Sequence, residues 1–201
     1  MEGFTITIVS IGTPVMYEGP GLHCAQRVVT PVNMGEIHLS GGAILESNIS
    51  TCVSVCLYHR GTRLGGMTHI SKALESTSGG IVPGEGDYRY AANAIRGLVE
   101  LFRLRIPLLD TGDLVLYIAG GYENEPPVVE TIRELGLGMS AGGTLRTTLN
   151  SKYHFKLRGW DINDSWYRKV SLDPPGGILR IEQYRPFIER REPSIVRRIQ
   201  L

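Results

Sequence analysis

The sequence predicts an α+β fold, an α/β sandwich with a mixed β core and flanking helices. Three observations predict it. Glycine and proline are frequent, at 25 and 11 of 201 residues, which favours strands and turns over a helical bundle. Short β-branched and apolar runs are punctuated by Gly/Pro clusters, the pattern of strands joined by turns. One segment instead carries apolar residues at helical spacing, and a proline pair opens a second, shorter helix. A 42% hydrophobic and 20% charged composition with net charge +1 fits a folded core and gives no global attraction to nucleic acid or to a membrane surface.

The elements follow in order. Residues 1–31 alternate strand-like runs with Thr13-Pro14 and Gly19-Pro20-Gly21, an N-terminal extension or edge strand. The first fifteen residues lack a basic leader and read as a strand and not as a signal peptide. Met34–Leu39 is a short strand, and Ser47–Ser50 a loop-like approach to the next one. Cys52–Tyr58 alternates, with Val53, Val55 and Leu57 on one face and Cys52, Ser54, Cys56 and Tyr58 on the other. A turn at His59–Thr62 returns the chain as a second strand ending at His69. A long Gly/Ser/Pro-rich loop spans Ser76–Asp87. Tyr90–Leu104 is the clearest helix, with Ala91, Ala94, Ile95, Leu98, Leu101 and Phe102 in register. Leu114–Ala119 is a buried strand stopped by Gly120-Gly121. Pro126-Pro127 opens a helix over Val128–Leu135. Strands follow at Tyr153–Arg158, Trp166–Leu172 and Ile178–Ile181. The main domain covers 32–184, and 185–201 is a basic C-terminal tail.

The chemistry concentrates at the two ends of the hairpin TCVSVCLYHRGTRLGGMTH. A loop centred between Arg60 and Gly61 sets Cys52 directly opposite His69. Opposed residues have Cβ atoms roughly 4.5–5.5 Å apart, close to thiol–imidazole bonding range. An imidazole there takes the thiol proton and leaves a nucleophilic thiolate. The expected thiol pKa is then well below the ordinary value of about 8.5. The bland alternative is a buried structural cysteine, the reading given to Cys24 and Cys56. A metal site drawn from His23, Cys24, His38, Cys52, Cys56, His59 and His69 is the weaker alternative, because no zinc-type spacing occurs. No metal or cofactor is expected. Three cysteines without framework spacing fit a reducing, cytoplasmic compartment, and no apolar run reaches the about 20 residues of a membrane span.

The runs Thr51–Tyr58 and Gly65–His69 resemble the signature of the chemoreceptor glutamine deamidases, CheD, with the same cysteine-to-histidine separation. Gly35-Glu36, Ser78-Gly79-Gly80, Tyr90-Ala91, Ile118–Gly121 and Leu172–Ile181 resemble further family segments, and the likeness spans about residues 33–182. It implies hydrolysis of glutamine side chains to glutamate on methyl-accepting chemoreceptors in chemotaxis adaptation, without cofactor, by a Cys–His–Thr constellation. Methyl-accepting chemoreceptors and a CheC-type phosphatase are the implied partners. Cys52 maps to the nucleophile and His69 to the base. The family threonine position is Glu46, a carboxylate able to orient His69. Thr51, Gly65, Gly66 and Thr68 are the expected substrate-contacting positions, with Gly65-Gly66 letting a substrate backbone approach. The family's I-G-x-R-N segment has no counterpart in Tyr122–Leu135. Glu46 and that missing segment motivate an alternative, a binding module for a phosphatase or receptor. A cysteine hydrolase with another substrate is a third reading.

Overall fold

The computed structural model describes residues 27–72, 87–122, 124–139, 144–148, 151–162, 166–185 and 193–201. The strands are β1 (Val29–Pro31), β2 (Ile37–Ser40), β3 (Ile44–Ile49), β4 (Val53–His59), β5 (Leu64–Ile70), β6 (Leu114–Gly120), β7 (Leu137–Met139), β8 (Leu145–Thr147), β9 (Lys156–Asp161), β10 (Tyr167–Asp173), β11 (Ile178–Tyr184) and β12 (Ile195–Gln200). Helix α1 (Ala91–Arg105) lies between β5 and β6, and α2 (Pro126–Glu134) follows β6. One five-stranded sheet runs β2-β5-β4-β6-β9 and a second runs β1-β3-β10-β11-β12; β7 and β8 pair separately. Both large sheets are mixed, through the parallel pairs β6–β9 and β1–β3. The fold is α+β.

Strand alternation decides the layering. Val53, Val55, Leu57 and Ile70 point from the β4–β5 hairpin into the helices, meeting Ala94, Leu98 and Phe102 of α1 and Val128 and Ile132 of α2. Cys56, Tyr58 and Met67 point the other way, into Leu45, Ile49, Val170, Leu172, Leu179 and Ile181 of the second sheet. The first sheet is therefore buried on both faces, and β4 is buried from Val53 through Tyr58. Each such fully buried aliphatic or aromatic side chain contributes about 1.5–3 kcal/mol.

Helix α1 starts at Ala91 and buries Ala91, Ala94, Ile95, Leu98 and Phe102 as its spacing predicts, with Val99 buried in place of Leu101. It ends before Pro107, with Arg103 and Arg105 in the last turn, where cations complement the helix dipole. Pro126 and Pro127 open α2 at positions that need no backbone donor. No helix among the described residues is long and apolar enough to cross a membrane.

Three expectations need correction. Residues 47–49 continue β3 and are not a loop, because Leu45, Ser47 and Ile49 alternate into the interior. The segment expected as a tail contains β12, paired antiparallel to β11 from Gln183↔Ile195 to Ile178↔Gln200. The strand before the C-terminal hairpin, β9, runs Lys156–Asp161 and not Tyr153–Arg158. The expected strands before residue 27, the pair His23/Cys24 and the loop interior at 73–86 lie outside the described residues.

Candidate functional site

The β4–β5 turn fixes the register of the site. His59 pairs with Leu64, so the loop is Arg60–Arg63. His59 Nδ1 closes it, lying 2.9 Å from Thr62 Oγ1 and accepting the Thr62 N–H at 3.1 Å. Arg63 takes the left-handed conformation, φ 54°, as longer hairpin loops require at one position. The consequence is a correction: His69 pairs with Ser54 and not with Cys52. The shift is even, so parity survives and Cys52 still shares a face with His69, as a diagonal neighbour.

Cys52 sits in the bend just before β4. Gly120, paired with Val53, holds φ +115°, and a Cβ there would fall 2.1 Å from the Cys52 carbonyl oxygen. Gly121, at φ +59°, donates its N–H to Ser50 O at 3.4 Å. The Ile118–Gly121 segment thus lets β6 close directly onto the backbone that carries the thiol. Thr51 is exposed beside it.

His69 is positioned from three sides. Its backbone N–H donates to Glu36 O at 3.2 Å, and its carbonyl accepts from Gly35 N–H at 2.9 Å. In the ring, Nδ1 lies 3.3 Å from Val32 O and 3.1 Å from Ser47 Oγ. A carbonyl only accepts, so Nδ1 carries the proton, and in the neutral ring Nε2 is the basic nitrogen. Among the described residues Nε2 has no hydrogen-bond partner. His69 is 6% exposed and Cys52 9%, both on the face of the first sheet that meets the second.

Electrostatics favour a neutral resting pair. Burial raises the Cys52 thiol pKa, with a hydrogen bond from Thr51 opposing and the Glu125 carboxylate reinforcing the rise. Burial lowers the His69 pKa against the opposing effects of Val32 O and the Glu36 charge. The expected thiolate–imidazolium pair is therefore not the resting state, because the interlayer space solvates neither ion well. Cys56, fully buried behind Ser54, is pushed up to about 12, which makes it an inert core thiol.

The other expected site residues are placed elsewhere. Glu46 faces outward on β3, where its carboxylate meets Lys169 Nζ at 3.0 Å and accepts from Ser171 Oγ at 3.3 Å. Its neighbour Ser47 faces His69, since successive strand residues point to opposite faces. Gly66 lies under α1: a Cβ there would come within 2.7 Å of Leu98 and of Phe102. Gly65 lies under the second sheet, with Pro174 and Leu172 at 2.8 and 2.9 Å from the same virtual atom. Thr68 is wholly buried on the helix side. These three positions serve packing between layers and offer no surface to a substrate. Cys52 and His69 stay on one face of the first sheet, and Thr51 is exposed beside Cys52.

Sequence reasoning missed Ser47 and Val32. The alternation Leu45/Ser47/Ile49 was the available signal for the first; a backbone carbonyl leaves none for the second. It also missed a buried polar anchor in the sheet row that carries His69, Ser54, Ala119 and Asp161. Asp161 accepts two hydrogen bonds from Gln183 Nε2, at 2.9 and 2.7 Å, and faces Arg168 at 3.6 Å and Arg197 at 3.7 Å. Among the described residues no group of three or more His, Cys, Asp or Glu side chains could hold a metal ion.

No family model matches the chain. A stretch of 84 residues is 31% identical to a "Probable chemoreceptor glutamine deamidase CheD" of Chlorobium luteolum, covering 40% of this chain and 38% of that protein. The match marks a distant CheD-like relationship, and it spans under two-fifths of the curated relative's length. Among solved structures, the hypothetical protein YfiH of Bacillus licheniformis aligns over 57% of this chain and 42% of its own, at 16% identity and TM-score 0.30. YlmD from Geobacillus stearothermophilus aligns over 54% and 40%, at 17% identity and TM-score 0.30.

Proposed function

We propose that this chain is a cysteine-dependent amidohydrolase of CheD type that converts glutamine side chains of chemoreceptor proteins to glutamate. One observation carries the reading: His69 is held through Nδ1 by Val32 O and Ser47 Oγ, while among the described residues Nε2 has no partner, on the face that Cys52 shares. The partial likeness to a protein named as a probable CheD supports the substrate class.

The chemistry follows from a neutral pair. As the carboxamide enters, His69 Nε2 takes the thiol proton while Sγ attacks the carboxamide carbon. The imidazolium then protonates the departing nitrogen, which leaves as ammonia and a thioester remains. Water, losing a proton to the same nitrogen, attacks the thioester; the sulfur departs and regains its proton, and glutamate is released. Ser47 and Val32 hold the imidazole and stabilise its charged form during both transfers. Proton transfer concerted with attack avoids a standing ion pair that burial disfavours.

The reading is tested by ammonia release from a methyl-accepting receptor fragment. Wild-type protein is expected to release ammonia and Cys52→Ala none, with the far-UV spectrum unchanged; equal release by both would refute it.

A second reading, a CheD-like module that binds a receptor or phosphatase without turnover, is favoured by the raised thiol pKa. The effect of His69→Ala on Cys52 alkylation at neutral pH separates the two. A slowed reaction marks a working base, and an unchanged one favours the binding module.

A further inference from the structure

We infer that the seam between β9 and β12 is a docking site for an acidic, extended segment of a partner protein, which adds as a strand to the free edge of β12. Both strands end their sheets, so among the described residues neither outer edge is paired. Two hollows meet at Arg158, the first beside the start of β9 and the second reaching β12 at Ile199. One is lined by His59, Arg60, Asp113, Lys156 and Arg158, the other by Tyr117, Arg158, Trp160 and Ile199.

The backbone of β12 points outward at alternate residues. Leu201 N–H donates to Gly177 O at 2.8 Å. Continuing the antiparallel register turns the groups of Ile199, Arg197 and Ile195 toward β11, and those of Val196, Arg198 and Gln200 toward the seam. The Gln200 carbonyl is met there by Arg158 Nε at 3.0 Å. Arg158 occupies the irregular step in the β6–β9 pairing, between Leu116↔Leu157 and Tyr117↔Gly159. Such a bulge re-aims a side chain, and here it sends a guanidinium across to a strand edge. Unpaired strand edges are templates for a further strand.

Charge selects the occupant. Arg60, Lys156 and Arg158 line the hollows, against Asp113, while Arg197 of β12 faces Asp161 at 3.7 Å. Lys156 reaches Asp113 only at 3.7 Å with both side chains more than half exposed, a pair worth little in water. A segment alternating acidic and apolar residues would set carboxylates against Arg60, Lys156 and Arg158. Backbone pairing favours protein over nucleic acid, as does the overall charge of only +1. This surface does not depend on turnover at Cys52, so either assignment can fail alone.

Fluorescence anisotropy with labelled Val-Glu-Val-Glu-Val-Glu on the full chain tests the inference. Saturable binding is expected, weakened about tenfold or more by Arg158→Glu and again by Lys156→Glu. Methylating alternate peptide nitrogens should weaken it comparably, because strand pairing is lost. Arg60→Glu, in an exposed turn, repeats the charge test where misfolding is not a concern. Equal binding of Val-Lys-Val-Lys-Val-Lys, indifference to N-methylation, or no binding at all would each overturn the proposal. So would tighter binding of a single-stranded oligonucleotide at the same residues.

Discussion

Ser47 Oγ lies 3.1 Å from His69 Nδ1, whereas Glu46, one residue earlier, ion-pairs with Lys169 on the opposite face of β3. A hydroxyl and not a carboxylate therefore sits behind the imidazole. Ser47→Ala is expected to lower kcat by about tenfold or more with KM little changed, since the hydroxyl touches only the base. Ser47→Thr should restore most of it. Glu46→Gln should leave the rate near wild type. A large loss from Glu46→Gln together with an indifferent Ser47→Ala would reverse these roles.

Gly120 is fixed by the Cys52 backbone. Gly120→Ala places a methyl 2.1 Å from the Cys52 carbonyl at φ +115°, so stability should fall by about 2 kcal/mol or more. Urea unfolding measures the loss. Gly66→Ala, against Leu98 and Phe102, should cost about 1–3 kcal/mol by overpacking. If Gly66→Ala instead kept its stability and lost substrate affinity, the glycine would be a substrate position after all.

The hairpin was legible because small and apolar residues alternate so regularly from Cys52 to Tyr58. Its register was not, because the choice between a two-residue and a four-residue turn rests on the His59–Thr62 contact and on Arg63 adopting a left-handed conformation. Helix α1 was legible from its apolar spacing and α2 from the prolines that open it. Strand β12 was hidden because Ile195–Gln200 places Ile195, Arg197 and Ile199 on one face and Val196, Arg198 and Gln200 on the other, with no polar–apolar alternation to read. Strands β7 and β8, of three residues each, are shorter than any periodicity can mark. Cys52 and His69 were legible as a pair, while the residue behind His69 was displaced by one position, enough to reverse the face.

Stability should depend on pH through His69 and the thiols. The folded-state pKa of His69 is depressed by burial, so the unfolded chain binds the proton more readily. The His69 contribution is present above the ordinary histidine pKa of about 6.5 and is lost as pH falls through the depressed value. Cys52 and Cys56 are raised, so their contributions are present below the ordinary thiol pKa and are lost as pH rises through the raised values. Thermal unfolding midpoints of wild type and His69→Gln across pH 4–8, a range given roughly by these reference values, check the acid arm. The wild type should lose more on acidification.

Glu125 raises the Cys52 pKa through its charge. Glu125→Gln is expected to lower it and to speed alkylation of Cys52 by iodoacetamide at neutral pH. Gly121 packs against Glu125 and Val128, so the unfolding midpoint should be followed alongside. An unchanged rate in a stable variant would remove Glu125 from the electrostatics of the site.

The most direct test of the Cys52–His69 assignment is peptide mass spectrometry of a methyl-accepting receptor fragment after incubation with wild type, Cys52→Ala and His69→Ala. The expected result is conversion of specific receptor glutamines to glutamate by wild type, none with Cys52→Ala, and a rate reduced by about a hundredfold or more with His69→Ala. Conversion that persists with Cys52→Ala, or that never appears with the wild type, would contradict it.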